Sequence, residues 1–187
     1  MTKKSKIIKL NIGCGESKLD GFINIDTEKS VKPDLVFDIT KGKLPFPPNS
    51  VSVIHCIHNI EHIEIRFWEH VFTDFWRVLK PKGYIILAYP EFEKCAHNFL
   101  TNKNGEKDFW RATLYGRQLY DGDYHVTPVV TKDLIKLLFK YGFDEIKAIS
   151  EPDADYNSAV RAYKGKKSLT KEDILRKQIF ERGKKKR

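Results

Sequence analysis

Ile7-Ile8-Lys9-Leu10-Asn11-Ile12-Gly13-Cys14-Gly15-Glu16 opens the stretch that decides the fold, which runs on through Phe22-Ile23-Asn24-Ile25-Asp26 to Leu35-Val36-Phe37-Asp38. The first apolar run ends in a Gly-x-Gly turn, and the next two each end in an aspartate. Short apolar runs bounded by turn residues predict strands of an open parallel sheet, whose carboxyl ends share one edge where ligands bind. Glycines after the first strand let backbone N–H groups approach a ligand closely. A carboxylate at the second strand tip suits the two hydroxyls of a ribose, and one at the third suits an adenine amino group. The three tips together read as a nucleoside-cofactor site.

Working outward, a proline-rich connection at 41–50 leads to Val51-Ser52-Val53-Ile54-His55-Cys56, a fourth buried strand. From Glu64 to Lys80 the period changes, with Trp68, Phe72, Phe75, Trp76 and Leu79 on one helix face. Pro81-Lys82-Gly83 turns the chain into a fifth strand, Tyr84 to Tyr89. Residues 91–130 have no clean period and read as a lid or acceptor region. Leu134, Leu137, Leu138 and Tyr141 mark a second amphipathic helix, with Thr131 as N-cap and Gly142 as stop. Strands at Asp144–Ile149 and Ser158–Tyr163 complete the sheet, and a polar helix at 171–182 leads into a basic end. The chain divides into a body, 1–164, and a basic C-terminal helix and tail, 165–187.

The first two crossovers are short, nine residues from Gly13 to Gly21 and seven from Thr27 to Pro33. A parallel crossover needs about a dozen residues to carry a helix. The N-terminal half of the sheet is therefore expected to lack helical cover on one face. The 91–130 segment, the tail helix or a second copy is expected to cover it.

The 187 residues carry a net charge of +9. Residues 161–187 hold 12 Lys/Arg against 3 Asp/Glu, the whole of that excess, so the body is neutral. A basic tail can contact nucleic-acid phosphates weakly by counterion release. Lysine-rich termini are more often simply solvated, and no aromatics interleave the final Lys-Lys-Lys-Arg. Three scattered cysteines give no disulfide framework, and no apolar run approaches the roughly 20 residues of a membrane span. A cytoplasmic protein without membrane attachment is expected, with a homo-oligomer left open.

Several segments resemble class I S-adenosylmethionine (SAM)-dependent methyltransferases, most closely the small type-11-like group. They are Leu10 to Gly15, Gly21 to Asp26, Leu44-Pro45-Phe46, Glu61-His62, Trp76 to Gly83 and the Leu137 to Phe143 helix end. The resemblance covers roughly residues 7 to 164. It implies a single-domain, Rossmann-like α/β fold with a mostly parallel seven-stranded sheet, one strand antiparallel, and SAM as cofactor. By position, Gly13 and Gly15 would lie against the methionine part of SAM, with Asn11 and Cys14 in the same motif. Asp26 would hold the ribose, Asp38 and Ile39 would flank the adenine, and the Cys56–Asn59 turn, His58 included, would touch the methionyl end. Ser17 and Lys82 stand where glycines are common. A nicotinamide site is disfavoured, because Asp26 comes only 13 positions after Gly13 rather than roughly 20.

Methyl transfer from a sulfonium needs alignment, plus a base when the acceptor is a hydroxyl or protonated amine. The neutral-range candidates are His55, His58, His62, His70, His97 and His125. His55 reads as a core histidine and His70 as a helix-surface one. His125, in the polar loop Tyr120 to His125, is favoured as base or acceptor contact, and His62 as a residue at the cofactor edge. A loop histidine that only caps or packs is the competing reading for each. No metal site is expected, because His55, Cys56 and His58 point to opposite faces of a strand.

Cys56 lacks the preceding proline of a cytosine-methylating nucleophile, and no Asn/Asp-Pro-Pro-aromatic run ends the fourth strand. The favoured function is methyl transfer to a small-molecule acceptor, such as a saccharide-type metabolite. The alternative is a nucleic-acid-binding protein, either an RNA methyltransferase or a non-catalytic module, using its basic tail.

Overall fold

The computed structural model describes residues 7–120, 122–149 and 156–166. The expected helix at 171–182 and the basic end lie outside the described residues. One seven-stranded sheet runs in the order β3-β2-β1-β4-β5-β7-β6. Its strands are β1 (Ile8–Ile12), β2 (Ile23–Asp26), β3 (Leu35–Val36), β4 (Val51–Ile57), β5 (Leu79–Pro90), β6 (Phe143–Ile149) and β7 (Asn157–Lys164). β1 to β5 pair in parallel, and β7 runs antiparallel to both β5 and β6. The strand order reverses between β1 and β4, which opens a crevice at the carboxyl edge there.

The helices are α1 (Ile65–Val78), α2 (Phe92–Leu100), α3 (Lys107–Tyr115) and α4 (Thr131–Lys140). Trp68, Phe72 and Phe75 of α1 are buried against Leu10, Ile12, Ile54, Ile85 and Leu87 on one sheet face, and α4 adds Leu134 and Leu138. Burying each such side chain stabilises by about 1.5–3 kcal/mol. The helix stops at Val78, earlier than the sequence pattern indicates, because Leu79 turns extended and pairs with Val51. The buried Asp74 accepts from Leu44 N and from Arg77 Nε, while Arg77 donates to the Leu44 and Phe46 carbonyls. This staple fixes the Leu44-Pro45-Phe46 segment to α1.

The 91–130 stretch contains α2 and α3, which pack on each other, with Phe109 and Trp110 of α3 edge-on to Tyr156. Thr131 is the first residue of α4 rather than its cap. Glu91 does the capping, accepting from Lys94 N at the start of α2 and from Thr131 N at the start of α4. A carboxylate is well placed at two helix N-termini.

The short crossovers carry no α-helix, only a single 3-10 turn at Lys29–Val31. A polar network does the fastening instead. Asn11 Nδ2 donates to Ser17 O and Asn24 Oδ1, Leu19 N also donates to Asn24 Oδ1, and Asn24 in turn donates twice to Asp34 Oδ2. The face carrying Lys9, Val53, His55 and Ile86 stays half-buried. Phe22 folds over it, with its ring 4.8 Å from His55 and 4.4 Å from Lys9 Nζ. α2 and α3 pack mainly on each other and against Tyr156, which precedes β7. Among the described residues no helix is long and apolar enough to cross a membrane.

Candidate functional site

Parallel register aligns the strand tips. Ile12 pairs with Ile25 and with Cys56, and Asp26 pairs with Val36. Gly13, Asp26, Asp38 and the Cys56–Asn59 turn therefore leave the sheet at the same edge. The turn after β1 is tight: Gly13 N and Cys14 N both donate to Ile25 O, at 2.8 and 3.1 Å. Gly13 has φ +64, and a Cβ there would come within 2.1 Å of Asn59 Nδ2. The Asn59 side chain thus lies directly against the glycine. Gly15 (φ +48) faces open space.

Asp26 is anchored by two backbone donors, Gly15 N to Oδ2 at 2.8 Å and Glu28 N to Oδ1 at 2.9 Å. An ionised carboxylate offers about four acceptor positions, so the group is oriented yet keeps lone pairs for a ligand. Asp38 Oδ1 accepts from Thr40 N and Thr40 Oγ1, and Oδ2 pairs with Lys41 at 3.0 Å. Burial opposes ionisation of Asp38, but these donors win and hold its carboxyl below the usual range. Ile39 beside it is buried in the core cluster.

The remaining motif residues face inward. Asn11 is committed to the crossover network described above. Cys14 and Cys56 are buried, and burial pushes both thiols up. The Cys56 thiol donates to Asn59 Oδ1 at 3.5 Å, so it steadies the residue that covers Gly13. His55 and Cys56 do lie on opposite faces, one against Phe22 and the other in the core.

A second group assembles beside Asn59. The 3-10 turn Ile60–His62 follows β4, and its Glu61 carbonyl accepts from both Val126 N and Thr127 N. Thr127 Oγ1 donates to Ile63 O at 2.8 Å. These bonds clamp the loop after α3 onto the turn after β4. His62 and His125 consequently meet edge-on, with ring centroids 4.9 Å apart. Each places Nδ1 3.0 Å from a backbone carbonyl, Tyr124 O for His62 and Thr113 O for His125. A carbonyl only accepts, so Nδ1 carries a proton in each ring. Burial pulls His125 below the ordinary histidine range, against the opposing pull of the Glu61 charge.

Glu61 is the residue that sequence reading did not single out. It is 2% exposed, and neither carboxylate oxygen has a hydrogen-bond partner. His58 Nδ1 stands 3.5 Å from Oε1, a charge contact rather than a hydrogen bond. The signal in the sequence is the adjacent pair Glu61-His62 itself. The ligating atoms of Glu61, His62 and His125 all lie within 4.8 Å of one another. His70 and His97 are elsewhere, His70 bonding the Gly42 carbonyl and His97 lining a groove of about 540 Å³ beside Glu91 and Lys94.

Comparison with known proteins agrees with this architecture. A family described as a methyltransferase domain matches residues 18–87, from the first crossover to β5. A SAM-dependent methyltransferase from Archaeoglobus fulgidus superposes with a TM-score of 0.59 at 17% identity, covering 86% of this chain and 87% of that one. A Methanosarcina mazei protein described as a SAM-dependent methyltransferase gives a TM-score of 0.58 at 15% identity, covering 87% and 94%. No curated protein sequence matches the chain. The chain therefore resembles the methyltransferase-domain family from β2 to β5 and shares the fold of SAM-dependent methyltransferases across the described residues.

Proposed function

We propose that this chain binds SAM at the Gly13–Asp26–Asp38 edge and transfers its methyl group to a small-molecule or saccharide-type acceptor. The observation that carries this reading is the anchored carboxylate of Asp26 beside the open backbone of Gly15. A ribose needs two acceptors held in place, and Asp26 keeps lone pairs for both hydroxyls. Gly15 lets the methionine part approach the backbone, and Asn59 closes the floor over Gly13. Asp38, oriented by Thr40, faces the adenine end, with Ile39 beside it.

When bound, SAM supplies an electrophilic methyl group on a sulfonium, whose departure as a neutral thioether needs no acid. What the protein must add is alignment. In this reading the acceptor stands between the Gly13 turn and the Glu61–His62–His125 group, with His125 as its base or acceptor contact. His125 faces the acceptor and His62 borders the cofactor. Both rings are fixed through Nδ1 and present Nε2.

The test is calorimetry with SAM and with its demethylated product, followed by methyl transfer from labelled SAM to panels of small hydroxylated metabolites and of RNA. The reading expects one cofactor per chain and turnover on the metabolite panel. Turnover on RNA alone would replace it with the nucleic-acid reading.

A further inference from the structure

We propose that Glu61, His62 and His125 form a binding site for a divalent transition-metal cation of the zinc, cobalt or manganese class, which holds an acceptor hydroxyl oxygen. This rests on the methyl-transfer reading for the role of the cation, but not for its binding.

Three independent observations converge on it. First, Glu61 is almost wholly buried with both oxygens lacking hydrogen bonds. A buried carboxylate that meets His58 without a hydrogen bond is poorly compensated, and a cation would supply the missing partner. Second, each of the two imidazoles is steered by an Nδ1–H bond to a backbone carbonyl, which leaves Nε2 as the nitrogen available to a cation. That outer hydrogen bond is the usual device for fixing a metal-binding histidine's tautomer and orientation. Third, the three ligand atoms lie within 4.8 Å of one another. Bonds of about 2.1 Å put tetrahedral ligands about 3.4 Å apart, a closure that small side-chain rotations supply.

The backbone clamp from Val126, Thr127 and the Thr127 hydroxyl holds the two halves of the site together without metal. Two imidazoles and a carboxylate suit borderline transition cations better than magnesium or calcium. Three protein ligands leave coordination positions open, the pattern of catalytic rather than structural sites.

Asn59, which covers Gly13, accepts from His62 N in the same turn, so the group adjoins the Gly13 edge. An acceptor hydroxyl bound there loses its proton to solvent more readily, because the cation stabilises the alkoxide. The oxygen then forms a bond to the methyl carbon as the carbon–sulfur bond breaks, and that electron pair stays on the departing sulfur. The cation therefore takes the task that sequence reading gave to His125 as a base.

The test uses the full, untagged chain stripped with a chelator, titrated with Zn²⁺ by calorimetry and with Co²⁺ by visible absorption, without SAM present. The expected result is one equivalent per chain and Co²⁺ ligand-field bands. Glu61→Gln and His125→Ala should each weaken binding at least tenfold, while His97→Ala changes nothing. Because Glu61→Gln removes a buried carboxylate that makes no hydrogen bond, the metal-free variant should melt no lower than the parent, which separates lost ligation from lost folding. Absence of stoichiometric binding, or wild-type affinity in both cluster variants, would overturn the proposal. SAM calorimetry on the stripped chain reports on the cofactor reading separately, so either can fail alone.

Discussion

The His62 ring meets the His125 ring edge-on at 4.9 Å, although the two residues enter from opposite sides of the α2–α3 insertion. The contact exists because Glu61 O accepts both Val126 N and Thr127 N, which pins the returning loop to the tip of β4.

The Asp26 carboxylate is held by Gly15 N and Glu28 N before any ligand arrives. Asp26→Asn keeps one oxygen acceptor but removes the charge and half the acceptor capacity. Hydrogen bonds to charged groups are worth about 1.5–3 kcal/mol, so SAM affinity should fall roughly 10- to 100-fold by calorimetry. The melting temperature should change little.

Gly13→Ala places a side chain at φ +64 and within 2.1 Å of the Asn59 amide. Left-handed backbone costs an ordinary residue about 1–2 kcal/mol, and the steric conflict adds to it. Denaturant unfolding should show a loss larger than that alone. Adding Asn59→Ala should recover the steric part and leave the backbone part, a non-additivity that a double-mutant cycle reads directly.

His55 is pulled below the ordinary histidine range by burial, with Lys9 adding to it. The unfolded chain therefore binds a proton near pH 6.5 that the folded chain does not. Stability consequently falls as pH drops below about 6.5 and stops falling below the folded value. Comparing melts at pH 7.5 and 5.5, His55→Gln should lose less than the parent. An equal loss would mean that the Phe22 sandwich does not keep His55 neutral.

The positive charge of residues 161–187 gives a test of the nucleic-acid alternative. Any RNA affinity should fall steeply with salt and disappear when residues 167–187 are deleted. Methyl transfer to a small acceptor should persist in the shortened chain. RNA binding that survives both high salt and the deletion would favour base-specific recognition.

Much of the sheet was legible because strand tips carry chemistry as well as pattern. The runs ending at Ile12, Asp26 and Asp38 marked both the strands and their shared edge, and the short crossovers marked where helices would be missing. The 91–130 stretch was harder. Its helices α2 and α3 pack on each other and on Tyr156 rather than on the sheet, so their apolar residues follow no single face. Thr131 resembled a cap because the true cap, Glu91, reaches α4 from the end of β5. Glu61 was hidden for a similar reason. A glutamate in a polar turn reads as exposed until the loop bearing His125 closes over it.

The most direct measurement of the central claim is calorimetry of SAM and its demethylated product against the full chain and its Asp26→Ala variant. One site per chain in the parent, lost or weakened at least tenfold in the variant, is the predicted result. No binding to the parent, or equal binding to both, would contradict the placement of the cofactor at the Gly13–Asp26–Asp38 edge.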